Sequence, residues 1–178
     1  MKRKIVIALV VVLGSWSMAQ ERKNSIQLEV GGSGMLYSVA YERLEWERVA
    51  LKAGVSYLRL TENGTHKYLN WASLPLSASY LIHLQKQCHF VELGAGVNMV
   101  YLSSTMNSFI VETDLYLNPT AIIAYRFHSP NGKWLARVAC TPFYGTASLT
   151  DHRINQQPFS VVGSGLQCWG GVTVGYRF

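Results

Sequence analysis

The sequence is poor in charged side chains and in long apolar runs. Asp, Glu, Lys and Arg make up 15% of its 178 residues, compared with about 25% in typical soluble domains. After the first nineteen residues no apolar run is long enough for a membrane-spanning helix, although 49% of all residues are hydrophobic. The apolar residues therefore alternate with others, and the low charge favours a surface that faces lipid.

Basic runs are also absent beyond the N-terminus. Removing Lys2, Arg3 and Lys4 lowers the formal net charge from +6 to +3. The remaining basic residues are dispersed, so the chain lacks the clustered positive charge of nucleic-acid-binding proteins. We therefore expect no nucleic-acid partner.

The first nineteen residues have the features of an export signal. Residues 2–4 are Lys-Arg-Lys, residues 5–13 form an unbroken apolar run, and residues 17–19 are Ser-Met-Ala. Such a run is too short to cross a bilayer as a helix, but it fits the apolar segment of a secretory signal. We predict a cleaved signal at residues 1–19 and one domain at residues 20–178.

Cysteine is scarce and odd in number, with Cys88, Cys140 and Cys168. At least one of them must stay unpaired within a monomer. Cys140 and Cys168 share the apolar register of two strands that we expect to be neighbours. The sequence therefore leaves undecided whether a disulfide joins them. We favour free thiols, because unpaired cysteine also serves as a small apolar side chain.

The last sixteen residues, 163–178, show the pattern that the rest of the chain repeats. Every second side chain back from the terminus is apolar or small, and the intervening ones are small or polar. Successive side chains of a β-strand point to opposite faces, so one face suits hydrocarbon and the other a polar interior. We predict that the barrel-assembly machinery engages this strand through its apolar row: Val172, Val174, Tyr176 and Phe178.

The same alternation predicts eight strands. They fall at residues 25–31, 36–44, 48–60, 68–82, 88–102, 113–127, 133–144 and 163–178. Short connections follow the second, fourth and sixth strands, at residues 45–47, 83–87 and 128–132. Longer ones follow the third, fifth and seventh, at residues 61–67, 103–112 and 145–162; the first, at residues 32–35, is a short exception on the long side.

Short turns at one rim and long loops at the other are typical of outer-membrane barrels, which place both termini on the periplasmic side. Aromatic residues also fall near both ends of the apolar rows, as in the two aromatic belts of membrane proteins. We therefore predict an all-β fold, an eight-stranded antiparallel up-and-down transmembrane β-barrel in the outer membrane of a Gram-negative cell.

Charged residues of the alternate rows would point into the lumen. An eight-stranded barrel is just wide enough for side chains to fill it, and an unpaired buried charge is costly. We therefore predict a structural ion-pair network that closes the lumen, with a gated ion path or a proton-sensitive site as the alternative. The seven residues are Glu29, Glu42, Lys52, Glu92, Arg126, Arg137 and Arg177.

No arrangement of residues predicts an active site, a cofactor or a metal. Ser148 or Ser160 with Asp151 and His152 in the longest loop is a hydrolase candidate, but a flexible loop does not fix the geometry that such a group needs. The histidines do not predict a metal site. His89 and Glu92 are three residues apart, on opposite faces of a strand, and we expect the remaining ones, His66, His83 and His128, to be solvated in loops or turns.

Several strings in the chain, in this order, resemble small outer-membrane β-barrel proteins of Bacteroidota. They are YERL at 41–44, LKAGVSY at 51–57, LPL at 74–76, HFVELGAG at 89–96, AYRF at 124–127, Arg137 with TPFY at 141–144, and VGYRF at 174–178. The resemblance covers most of the chain after the leader. It implies a location and a barrel of about the size of the OmpA and OmpX barrels, and it supplies no catalytic residues.

Three functions are open. We expect a structural or surface-interaction protein that contacts membrane lipid and, through its longer loops, the outside of the cell. The sequence leaves open whether its protein partner is extracellular or periplasmic. The alternatives are a soluble exported lipocalin-like barrel, with its faces reversed around an apolar ligand, and an outer-membrane hydrolase of lipids or peptides. A water-facing surface is rich in Lys and Glu, whereas the alternate rows are mostly Gly, Ser, Ala and Thr, which favours the membrane barrel.

Overall fold

The chain is built almost entirely from β-strands. A computed structural model describes residues 22–34, 36–46, 48–61, 67–84, 88–106, 109–145, 153–154, 157–158 and 165–178. The strands are β1 (Asn24–Gly31), β2 (Tyr37–Glu45), β3 (Val49–Thr61), β4 (Lys67–His83), β5 (His89–Met106), β6 (Phe109–His128), β7 (Trp134–Gly145), β8 (Arg153–Ile154), β9 (Gln157–Pro158) and β10 (Gly165–Arg177). In these ranges no helix is long and apolar enough to cross a membrane.

Eight of the strands close into a barrel. β1 to β7 pair in sequence order, each antiparallel to the next, and β10 lies between β7 and β1. The closing pair, β1 with β10, runs from Ser25↔Arg177 to Gly31↔Gly171. The prediction of an eight-stranded antiparallel up-and-down barrel is confirmed.

Side chains alternate between the inside and the outside of the barrel, as the sequence predicts. β2 alternates between exposed and buried residues over its first eight positions. On β1, Leu28 and Val30 are 55% and 61% exposed, whereas Glu29 between them is 1% exposed. The predicted apolar rows therefore cover the outer surface.

The first and last residues of the barrel strands, Asn24 and Arg177, lie at the same end of the barrel, which we call the terminus end. We call the opposite end the loop end. The short connections after β2, β4 and β6 lie at the terminus end, as predicted. In the third of them the Ser129 amide donates to the Trp134 carbonyl oxygen at 2.8 Å. Gly132 adopts a φ of 67° there, a conformation open to glycine without strain.

The predicted loop at residues 103–112 is wrong for most of its length. β5 continues to Met106 and β6 begins at Phe109, and these two residues pair with each other. Residues 109–111 are Phe-Ile-Val, which favour strand, so the pairing of β5 with β6 extends beyond the apolar alternation that the sequence analysis followed.

The predicted loop at residues 145–162 includes a small two-stranded sheet of β8 and β9, with Ile154 paired to Gln157. The other residues between β7 and β10 lie outside the described residues, as do residues 62–66 of the predicted loop at 61–67.

The connection between β1 and β2 folds into the barrel. Gly32–Gly34 form one turn of 3-10 helix whose three residues are buried. This inner turn approaches β4 and β7, the strands that follow β3 and β10 on either side of the β1–β2 hairpin. It also packs closely against β10, because a Cβ added at Gly171 would lie 2.7 Å from the Cα of Gly32. The inner turn therefore projects into the lumen from the side of β1 and β2.

Large apolar side chains also point into the lumen. The inward rows are mainly small or polar, as expected, but these larger side chains fill the narrow space above and below the charged residues. The inward apolar residues that are buried include Leu44, Leu69, Trp71, Leu81, Phe90, Val100, Leu102, Ile122, Leu135 and Phe143.

Candidate functional site in the barrel lumen

Six charged side chains meet in the middle of the lumen. Each comes from a different strand: Glu29 (β1), Glu42 (β2), Lys52 (β3), Glu92 (β5), Arg126 (β6) and Arg137 (β7). All six residues are 5% exposed or less. We call this set the central network, and its three acids balance its three bases.

Arg126 joins two of the acids. Its Nη1 and Nη2 donate to Oε1 and Oε2 of Glu42 at 2.8 and 2.6 Å, a bidentate arrangement that gives strong, geometrically specific pairing. Its Nε donates to Oε2 of Glu92 at 2.9 Å. Arg126 therefore connects the neighbouring β5 with β2, which lies across the barrel from its own strand.

Glu29 joins the network to the inner turn. Its Oε2 accepts a hydrogen bond from Lys52 Nζ at 2.8 Å, and its Oε1 lies 3.3 Å from Arg137 Nη2. The Ser33 amide in the inner turn also donates to Oε1, at 3.1 Å. The turn therefore stays inside the barrel through a carboxylate that is itself held by two bases.

Two uncharged residues that were not predicted from the sequence complete the network. Ser79 on β4 donates to Glu92 Oε1 at 2.8 Å, and Thr173 on β10 accepts from Arg137 Nε at 3.3 Å. Every barrel strand thus contributes one side chain. Ser and Thr occur at inward positions on all the strands, so residue type alone does not identify these two. Strand register could have identified Thr173, since it pairs directly with both Glu29 and Arg137.

Arg177, the seventh predicted member, lies apart from the other six at the terminus end. Its Nη2 donates to the Arg22 carbonyl oxygen at 2.7 Å, and its Nη1 lies 3.3 Å from His128 Nδ1. The expectation that His128 is solvated in a turn is wrong. β6 continues to this residue, which shares the inward row of Arg126 and is 7% exposed.

The central network lies between two apolar layers. The layer toward the terminus end consists of Leu44, Ala50, Leu81 and Phe90. The layer toward the loop end consists of Trp71, Val100, Leu102 and Phe143, against which Leu58, Tyr116 and Trp169 pack. Both layers keep water from the charges, so their mutual attraction is poorly screened and the loss of a partner is costly.

The hydrolase candidates of the longest loop, Ser148, Asp151, His152 and Ser160, lie outside the described residues. His89 is on the outer surface, with its ring centroid 5.3 Å from that of Phe127, whereas Glu92 is inside the lumen. Within the described part of the chain no three His, Cys, Asp or Glu side chains are grouped to hold a metal ion.

Cys140 and Cys168 are free thiols on the outer surface of the neighbouring strands β7 and β10. Cys140 is paired with Gly170 rather than with Cys168, so the two thiols are diagonal neighbours. Cys88 is also free. The predicted assembly row of β10, Val172, Val174, Tyr176 and Phe178, forms one exposed apolar stripe on the outer surface, and its engagement by assembly machinery stays a prediction.

No protein-family model and no curated protein sequence matches the chain. Among solved structures, the N-terminal β-barrel domain of Pseudomonas aeruginosa OprF is similar, with a TM-score of 0.58 and 13% sequence identity, over 89% of this chain and 100% of that one. At this identity the similarity concerns the fold alone. The chain therefore shares the closed eight-stranded barrel of the OprF N-terminal domain, while kinship with the Bacteroidota barrels stays a prediction.

Proposed function

We propose that the chain is an integral outer-membrane barrel of a Gram-negative cell, related to the small Bacteroidota barrels, with a closed lumen and a structural or surface-interaction role. The observation that carries this proposal is the contrast between the two faces of the wall. Val138 on the outside of β7 is 59% exposed, whereas its neighbour Arg137 on the inside is 2% exposed. An apolar exterior around a charged interior suits hydrocarbon and is the reverse of a soluble barrel.

The aromatic residues on the outer surface support a membrane location, because they lie near both ends of the barrel. At the terminus end Trp134 and Tyr176 pack edge to face, with ring centroids 5.2 Å apart. At the loop end Tyr57 and Tyr144 are 54% and 55% exposed. Amphipathic rings are enriched at both membrane interfaces, whereas a soluble barrel has no physical reason to place them at both rims.

The packed lumen supports the structural interpretation of the network over an ion path. The central network pairs its charges internally, and the inner turn projects into the lumen above it. An ion that moved through would have to break these pairs and pass both apolar layers, which offer no substitute for its water shell.

The unequal height of the strands at the loop end supports a role at the cell surface. The pairing of β5 with β6 continues to Met106↔Phe109, whereas the pairing of β6 with β7 ends at Thr120↔Phe143. The pairing of β3 with β4 likewise continues to Thr61↔Tyr68. β3, β4, β5 and β6 therefore rise beyond the rest of the barrel as a curved sheet. We propose that partners outside the cell contact this sheet and the longer loops, and that the assembly machinery engages β10.

Spin labels test the membrane location. We expect labels at Val97→Cys and Val172→Cys, in a chain whose native cysteines are replaced, to be relaxed strongly by oxygen and weakly by a polar nickel complex, since both positions face the acyl chains. The matched control is Gln27→Cys, on an inward row, which should be shielded from both. A label at Val172→Cys that responds mainly to the nickel complex contradicts the proposal.

Electrical recording tests the closed lumen. Purified protein in planar bilayers should give no large, steady conductance, because paired charges and packed side chains fill the barrel. A general porin recorded in the same bilayers is the control. Steady steps of porin size from the folded protein contradict a closed lumen.

A further inference from the structure

The barrel wall has a gap at the loop end, above the inner turn. β1 pairs with β10 only as far as Gly31↔Gly171, and β2 pairs with β3 only as far as Val39↔Val55. Beyond these points β10 continues along β7 and β3 continues along β4. In the described residues no strand joins β3 to β10 above the β1–β2 hairpin.

The gap opens toward the membrane rather than only toward water. β1 and β2 have 8 and 9 residues, at or below the roughly 9–11 that a membrane-crossing strand needs, so the hairpin ends within the outer interface. On β10 the outer face stays apolar at this height, whereas on β3 the outward residue that follows Tyr57 is Arg59. Tyr57 on β3 is 54% exposed and Leu166 on β10 is 80% exposed.

The β3 margin of the gap is adapted to an apolar environment. The Tyr37 hydroxyl, at the start of β2, donates to the main-chain carbonyl oxygen of Tyr57. A strand carbonyl without a partner is costly in hydrocarbon. The tyrosine therefore supplies the hydrogen bond that the missing length of β2 cannot make.

Carbon surface lies directly behind the gap. Leu58 on β3 and Trp169 on β10 point inward from its two margins, remain partly accessible, and pack against the buried Trp71 and Phe143. Membrane barrels ordinarily have a polar interior. An accessible apolar wall beside a lateral opening is therefore complementary to an alkyl chain.

The inner turn forms the floor of this space. The inner turn lies against the backbone of Gly171 and is tied to Glu29, which separates the apolar space from the charges below. An acyl chain that enters from the side therefore meets the inner turn before it reaches the central network.

We propose that the gap admits an acyl chain of a membrane lipid from the outer leaflet, which lies against Leu58 and Trp169 above the inner turn. The proposal rests on the membrane location proposed above. The site would hold the lipid by its hydrocarbon at the loop end, beside the raised sheet of β3, β4, β5 and β6, so the barrel would present a membrane lipid where its surface contacts are made.

Photolabelling from within the bilayer tests this site. The chain is folded into bilayers that contain a phospholipid with a diazirine at the end of one acyl chain, irradiated, and mapped by mass spectrometry. We expect adducts on Leu58 or Trp169 as well as on outward residues such as Leu28 and Val174. Outward adducts alone overturn the acyl site and leave the membrane barrel intact, whereas the absence of outward adducts overturns the barrel proposal itself.

A variant pair tests whether Trp169 forms the site. Trp169→Gln should lower the adduct on Leu58 roughly tenfold, because it removes apolar contact area, and Trp134→Gln on the outer face at the terminus end should leave that adduct unchanged. Heat-modifiable gel mobility checks that both variants fold. If Trp169→Gln does not fold, Leu58→Asn replaces it and the adduct on Trp169 is measured. An unchanged lumen adduct in either variant overturns the proposal.

Discussion

Replacement of Arg126 by Met should destabilise the barrel by about 3–5 kcal/mol, because removing one partner of a buried ion pair leaves an uncompensated charge. Arg126 makes both guanidinium hydrogen bonds to Glu42 and a third to Glu92. A methionine side chain can occupy the space but cannot donate. Urea unfolding in detergent micelles or lipid, followed by tryptophan fluorescence, measures the loss.

The matched control for this variant is Arg43→Met. Arg43 also pairs with a glutamate, Glu45, but its side chain is 52% exposed, and exposed pairs contribute about 1 kcal/mol or less. Adding Glu42→Gln to Arg126→Met should recover part of the loss, since it removes the stranded charge. Equal unfolding midpoints for Arg126→Met and Arg43→Met would show that the central network does not stabilise the barrel.

Replacement of Gly171 by Ala should cost about 1–3 kcal/mol, the usual penalty for overpacking a tight interior. The new Cβ would lie 2.7 Å from both the Cα and the amide nitrogen of Gly32. Both atoms belong to the backbone of the inner turn, so relief requires a shift of the turn or of β10. The same unfolding measurement reports the loss.

The neighbouring residue gives the control, because Gly170→Ala places its Cβ in open space on the outer face. This variant should unfold within about 0.5 kcal/mol of the wild type, as surface substitutions usually do. If the two alanine variants are equally stable, the close packing of the inner turn against β10 is wrong.

The fold was predictable because the outer surface repeats one rule on every strand. Alternation placed rows such as Val172, Val174 and Tyr176 outside, and the complementary register placed Glu42 and Arg126 inside. Turn chemistry at Asn131-Gly132 fixed one connection. These signals are local, so they can be read from neighbours in the sequence.

The internal arrangement depends on contacts between distant parts of the chain, and the sequence analysis missed much of it. Gly32–Gly34 has no strand or helix pattern, and it turns inward because Glu29 offers a carboxylate to the Ser33 amide. Trp71 and Phe143 occupy inward positions that a polar-lumen rule assigns to small residues. Arg177 follows that rule but lies too near the terminus end to meet the other charges.

The central network also has a consequence for how the protein is made. Arg126 on β6 and Glu42 on β2 are four strands apart, about 19 Å in an open sheet at roughly 4.8 Å per strand, and they meet only after the sheet curls. Glu29 likewise reaches Arg137 only once the first strand has joined the last. A sheet that has not yet closed therefore leaves these charged side chains without their partners. The ion pairs thus favour the closed barrel over every partly assembled stage.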